Sequence, residues 1–231
     1  MPPPADPCHK TIPPRPRGVK FVSALQWLYI FLAAAIMTFG TCCERPKDAV
    51  VIPPQPVTRS TDMKNMRTEE AIFAGGCFWG VEHWFRQVPG VVSVTSGYTD
   101  GTLSNPTYED VCSDLTGHAE AVRVIFDPAR VPYEKLARLF FEIHDPTTLN
   151  SQGPDFGAQY RSVVFYKSPE QKAVVEKLIG LLRDNRYNVV TQVVPASTFY
   201  PAEEYHQDYL NKHPGRQDCH IRVPRFDVRK P

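Results

Sequence analysis

The chain has 231 residues, 42% hydrophobic and 22% charged, and a formal net charge of +1. That is ordinary for one soluble domain with a proper core. Near-neutral charge, with no long basic run, excludes a partner chosen by bulk electrostatics, nucleic acid above all.

Residues 1–43 stand apart. Basic residues from His9 to Lys20 precede an uncharged run over 21–43, FVSALQWLYIFLAAAIMTFGTCC, and Glu44 follows it. A positive flank before an apolar stretch reads as a targeting segment. About 20 apolar residues suffice to span a bilayer, so a cleaved signal and a retained anchor both stay open. FGTC loosely resembles a bacterial lipoprotein signal, with Cys42 as the lipidated residue. Either way the basic flank stays inside and the rest is exported, to the periplasm or to the extracytoplasmic side of a membrane. Residues 44–68, rich in Pro, Lys, Arg and Thr and without periodicity, read as a linker, leaving 69–231 as the domain.

Six cysteines do not give a disulfide framework here. Cys8, Cys42 and Cys43 belong to the leader, and Cys77, Cys112 and Cys219 to the domain. No pair is spaced C-x-x-C, so neither a zinc ribbon nor a thioredoxin-type motif is expected, and no metal.

From residue 70 the periods alternate. A strand over 70–74 ends in Gly75-Gly76, and Phe78, Val81, Trp84, Phe85 and Val88 recur at helical spacing until Pro89-Gly90. Residues 91–98 read as a strand, 118–126 as a clearer one, 132–144 as a helix, 161–167 as a strand, 168–184 as a helix with Ser168 as N-cap and Pro169 first, and 189–194 as a strand. This order predicts an α+β fold: a two-layer α/β sandwich with a ferredoxin-like split βαβ core, an extra C-terminal helix and strand, and a long coil tail. The loop over 145–160, DPTTLNSQGPDFGAQY, is long enough to be functional.

Within this frame Cys77 and Glu120 stand out. Cys77 follows two glycines and starts a helix, where unpaired N–H groups and the helix dipole favour a thiolate. The alternative is a buried structural cysteine. Phe78 and Trp79 point about 100° apart, so at least one of them is expected to wall the thiol. Glu120 shares a strand face with Val122, Val124 and Phe126, which places a carboxyl on the apolar side of the sheet, fit to be held neutral as a proton donor. The alternative is a solvated strand end near Gly117.

These residues carry a resemblance. GCFWG (76–80), GYT (97–99), NPTY (105–108), GHAEAV (117–122), HDPTTLN (144–150), QGPDFGAQYRS (152–162) and YHQDYL (205–210) together resemble peptide methionine sulfoxide reductase A over nearly all of 70–210. The resemblance implies an enzyme that reduces the S epimer of methionine sulfoxide, free and in peptides, by way of a cysteine sulfenic acid. It implies Cys77 as the nucleophile, Phe78 and Trp79 around the substrate's S-methyl group, and Glu120 as the acid. Tyr108 and Tyr160 would hydrogen-bond the sulfoxide oxygen, and Asp155 would shape the site. Cys219, in the coil HPGRQDCHIRVP, would swing toward Cys77 and form a disulfide, then reduced by thioredoxin or another dithiol, with no cofactor. Family members often carry an aromatic residue just before this cysteine, where the chain has Gln217-Asp218. A monomer is expected, and Cys112 reads as a buried structural cysteine.

Two rivals remain. A cysteine hydrolase would need His118, His144 or His206 as base but no buried acid. A non-catalytic exported binding protein would keep its activity after alkylation of Cys77.

Overall fold

The computed structural model describes residues 67–216 and 219–226. The expected leader, most of the linker, Cys8, Cys42, Cys43, Gln217 and Asp218 lie outside the described residues. Among those described, no helix is long and apolar enough to cross a membrane.

Strand β1 (Glu69–Ala74) leads through Gly75-Gly76 into helix α1 (Phe78–Arg86), followed by β2 (Val91–Thr99), the short α2 (Tyr108–Cys112) and β3 (Ala119–Phe126). Helix α3 (Tyr133–Ile143), a small hairpin β4 (Ser151–Gln152) and β5 (Asp155–Phe156), and a 3-10 turn over Ala158–Tyr160 precede β6 (Val163–Tyr166). Helix α4 (Pro169–Asp184), β7 (Gln192–Pro195), β8 (Tyr200–Pro201), a 3-10 turn over Glu204–His206 and α5 (Tyr209–Lys212) complete the order.

Six strands form one sheet in the order β7-β6-β1-β3-β2-β8. β3 lies between β1 and β2 and is antiparallel to both, and β6 is antiparallel to β1. Only β7 pairs in parallel, with β6.

Period-two alternation sorts the two faces. Phe73, Val122, Val124 and Phe126 pack with Phe85, Phe140 and Leu178 from α1, α3 and α4 in the main core. Ile72, Ala119, Ala121 and Phe165 face the other way, beneath Ala196 and Phe199 of a loop. The helices therefore cover one face, and Glu120, in register with Val122, points toward them.

The predicted elements from 70 to 184 agree with this order within a few residues. Ser168 caps α4 as predicted, its hydroxyl accepting from Gln171 N with Pro169 in the first turn. Five short elements, α2, β4, β5, β8 and α5, are additions. α2 starts with a capping box in which Thr107 and Asp110 bond reciprocally, a T-x-x-D pattern visible in the sequence. The long loop contains the β4–β5 hairpin, and β8 and α5 flank the region of His206.

Candidate active site

The β1–α1 connection builds the site's floor. Gly76 sits at φ +97°, a conformation that L side chains rarely adopt, and an added Cβ would lie 2.7 Å from Gln152 Cβ. Gly75 admits α3 closely, since a Cβ there would lie 2.8 Å from the Phe140 ring. The turn thus brings the backbone against α3 and the β4–β5 hairpin, and Cys77 follows as the N-cap of α1.

Cys77 is half-buried and not in a disulfide. Its thiol is pushed well above its ordinary pKa, first by burial, then by the negative charges of Glu120 and Asp155, with a backbone N–H from Trp79 opposing. This corrects the expectation of a helix-start thiolate. The N-terminal dipole acts here, but desolvation and two carboxylates outweigh it.

Glu120 is 1% exposed, so the solvated strand-end alternative fails. Its Oε2 accepts the backbone N–H of Phe78 at 3.1 Å. The carboxyl therefore meets the first turn of α1, next to the residue that carries the thiol. Asp155, on β5, is 4% exposed and close enough to Cys77 to raise its pKa. Tyr160 ends the 3-10 turn that packs against β3, the strand of Glu120, and is itself buried.

The two aromatics after Cys77 divide as their angular separation requires. Phe78 is 1% exposed and belongs to the core, its ring 5.8 Å from Tyr98 and 5.0 Å from His206. Trp79 is half-buried and stacks on Tyr209 at 3.7 Å between centroids. Of the pair, Trp79 is the one that retains exposed surface. Tyr108 is buried at the start of α2, its ring 4.4 Å from His206.

Glu203 is a functional candidate absent from the sequence analysis, and His206, weighed there as a hydrolase base, takes a different part. The indole Nε1–H of Trp79 donates to His206 Nδ1 at 3.0 Å. An indole nitrogen only donates, so the imidazole proton sits on Nε2, which faces Glu203 Oε2 at 4.0 Å. Glu203 also accepts from Tyr98 Oη and from Tyr108 N, each at 2.9 Å. A buried tryptophan signals that an acceptor exists somewhere. Only the fold names it.

The histidines do not form a base for Cys77. His118 Nε2 bonds Leu103 O at 2.7 Å, and His144 bonds Phe140 O and the Ser162 hydroxyl. His206 is held by Trp79, so a cysteine hydrolase finds no support.

Cys219 is an exposed cysteine near enough to Cys77 to count as the last and smallest influence on that thiol's raised pKa. The coil that follows it is not loose. His220 is buried and its Nε2 bonds Gly75 O at 2.9 Å, which corrects the expectation of a freely swinging segment on that side. Cys112, expected as a buried structural cysteine, is half-buried and disulfide-bonded. No group of three or more His, Cys, Asp or Glu among the described residues is arranged to hold a metal ion.

A family model described as peptide methionine sulfoxide reductase matches residues 69–230. The chain is 57% identical over 155 residues to a peptide methionine sulfoxide reductase MsrA of Acidobacterium capsulatum, covering 66% of this chain and 99% of the relative. It is 58% identical over 158 residues to one of Methanothermobacter thermautotrophicus, covering 67% and 93%. Among solved structures, reduced Mxr1 of Saccharomyces cerevisiae superposes with a TM-score of 0.65 at 35% identity, covering 71% of this chain and 97% of that one. Methionine sulfoxide reductase A of Corynebacterium diphtheriae gives 0.59 at 36%, covering 64% and 76%.

Proposed function

The chain belongs to the peptide methionine sulfoxide reductase family and is an enzyme that reduces methionine sulfoxide, and from that premise we propose how its own residues do so. The substrate is the S epimer of methionine sulfoxide, free or in a peptide. Its S-methyl group rests on Trp79, with Phe78 beneath as part of a rigid apolar base. The observation that carries this reading is the Phe78 N–H to Glu120 Oε2 bond, which fixes a buried carboxyl beside the nucleophile.

A sulfoxide oxygen leaves poorly until it is protonated, so attack needs an acid near the S–O bond. The raised pKa of Cys77 supplies the proton's source. The thiol holds it at rest first because it is buried, and then because of the charges of Glu120 and Asp155. As the Cys77 sulfur bonds to the sulfoxide sulfur, that proton passes through Glu120 to the oxygen. Tyr108 and Tyr160 hydrogen-bond the same oxygen, and Asp155 shapes the pocket. The hydroxyl then moves from the substrate sulfur to the Cys77 sulfur as the S–O bond and the new S–S bond break, so that the sulfoxide is reduced by two electrons to sulfide and Cys77 is oxidised to a sulfenic acid. The Cys219 thiol then attacks the Cys77 sulfur, releasing water and leaving a Cys77–Cys219 disulfide. A thioredoxin-like dithiol reduces that bridge, so no metal or organic cofactor is required.

Single-turnover reduction of each epimer tests the reading. Wild-type enzyme is expected to release about one methionine per chain from the S epimer and little from the R epimer, and Cys77→Ser none. Turnover by Cys77→Ser near the wild-type rate would overturn it. The apolar run over 21–43 supports export or membrane anchoring, which mass spectrometry of the mature N terminus tests.

A further inference from the structure

The residues after Cys219 are bound to the body of the domain by a series of contacts that the reduction step does not use. His220 Nε2 donates to Gly75 O, the carbonyl two residues before the nucleophile, at 2.9 Å. Arg222 meets the Glu142 carboxylate through Nε at 2.8 Å and through its terminal nitrogen at 2.7 Å, and Val223 N donates to Glu142 O at 2.7 Å. Arg225, 8% exposed, donates to Phe141 O at 2.9 Å and His144 O at 3.0 Å, while its own carbonyl accepts from Asn185 Nδ2 at 3.0 Å.

These bonds share one geometry. Phe141, Glu142 and His144 form the C-terminal end of α3, whose last carbonyls have no helical partner and need donors from elsewhere. Arg225 supplies them, and a cation at a helix C-terminus also suits the dipole. The tail thus crosses the end of α3 and stops at the Gly75-Gly76 turn. Gly76 leaves no room for a side chain here, since an added Cβ would lie 3.1 Å from His220 Nε2. Cys219 is the next residue along.

We propose that His220 and Arg225 are positioning residues for the recycling step: they tether the tail so that Cys219 is held within reach of Cys77 before the sulfenic acid forms. The proposal rests on Cys219 as the resolving cysteine. A sulfenic acid and a thiol condense to a disulfide and water, and the oxidant is the sulfoxide already consumed. What the tether changes is the encounter, since a thiol held near its target reacts as if highly concentrated. The S–S bond forms as the Cys77 S–O bond and the Cys219 S–H bond break and the oxygen leaves as water, so neither tether residue forms or loses a covalent bond.

The test uses the full chain carrying His220→Ala, His220→Gln or Arg225→Met, mixed with one equivalent of the S sulfoxide and quenched over time. Methionine release, Cys77–Cys219 disulfide by peptide mapping, and sulfenic acid trapped by a 1,3-diketone are followed separately. In His220→Ala and Arg225→Met, methionine release is expected at the wild-type rate, while disulfide formation slows about tenfold or more and trapped sulfenic acid accumulates. His220→Gln, whose amide nitrogen stands near the place of Nε2 and can still donate to Gly75 O, is expected to recover much of the disulfide rate. A merely structural role would lower methionine release and disulfide formation together. Disulfide formation at the wild-type rate in both His220→Ala and Arg225→Met overturns the tether. A wild-type enzyme that forms no Cys77–Cys219 bridge overturns the recycling reading and the tether with it. Arg225→Met keeps the test independent of the Gly75 turn, because its bonds go to α3 and not to the residues beside Cys77.

Discussion

At Cys77 the electrostatics invert the simplest view of a reactive cysteine. A thiol held above its ordinary pKa is slow toward solvent reagents, because the thiolate is the nucleophile. Alkylation of resting wild-type enzyme by iodoacetamide is therefore expected to be slow at pH 7 and to rise steeply above pH 9. Removing a negative neighbour lowers the thiol pKa, so Glu120→Gln is expected to be alkylated several-fold faster at pH 7 than wild type. The same variant is expected to lose roughly two to four orders of magnitude in the reductive step, the usual worth of general acid catalysis. Stopped-flow alkylation and single-turnover methionine release check the pair, and a parallel fall in both would mean that Glu120 acts only through packing. The two site residues differ in how far the sequence reveals them. Glu120 is legible because it alternates with Val122 and Val124 on a strand, and period two fixes its face. The direction of the Cys77 shift is not, because it is set first by burial and then by Glu120 and Asp155, which only the fold brings to the thiol. The bond from Trp79 to His206 is hidden likewise, as it spans most of the domain.

At the scale of elements, the β1–α1 turn is where backbone and chemistry meet. Gly76→Ala would place a Cβ 2.7 Å from Gln152 in a φ region unfavourable to alanine. A loss of about 1–3 kcal/mol in urea unfolding is expected, the cost of a left-handed non-glycine residue plus crowding, together with a slower first turnover as the hairpin bearing Asp155 is displaced. Urea titration and quench-flow kinetics measure the two effects. Stacking of Trp79 on Tyr209 is worth about 1 kcal/mol, and Tyr209→Ala is expected to raise the KM for sulfoxide more than it lowers kcat, because it loosens the substrate wall and leaves thiol and acid in place. Strand and helix positions are legible because hydrophobic periodicity and the Ser168-Pro169 cap are local signals. Two-residue strands such as β4, β5 and β8 carry too few residues for a period, and only their long-range pairing defines them.

Across the whole domain, buried ionisable groups set its response to acid. His144 lies in the core with its pKa lowered to about 3, chiefly by burial. It is neutral when folded, while the unfolded chain takes up a proton below about pH 6.5. Its folded pKa is the lower one, so its contribution is intact above pH 6.5 and is lost progressively as pH falls toward 3, at most on the order of a few kcal/mol. Urea midpoints measured from pH 7 to 4 are expected to fall, and less steeply in a His144→Gln variant that still folds. Two-layer architecture is legible from the alternation of elements, whereas the route of the tail is not, since each of its bonds joins residues distant in sequence. That route sets a timetable for synthesis. Cys77 leaves the ribosome well before Cys219, because domains emerge from the N-terminal side. A nascent chain can complete β1, α1 and β3, and so align thiol and acid, while the segment from Cys219 to Phe226 is still in the exit tunnel. A nascent chain oxidised at that stage lacks Cys219, and its sulfenic acid waits until that residue has left the exit tunnel.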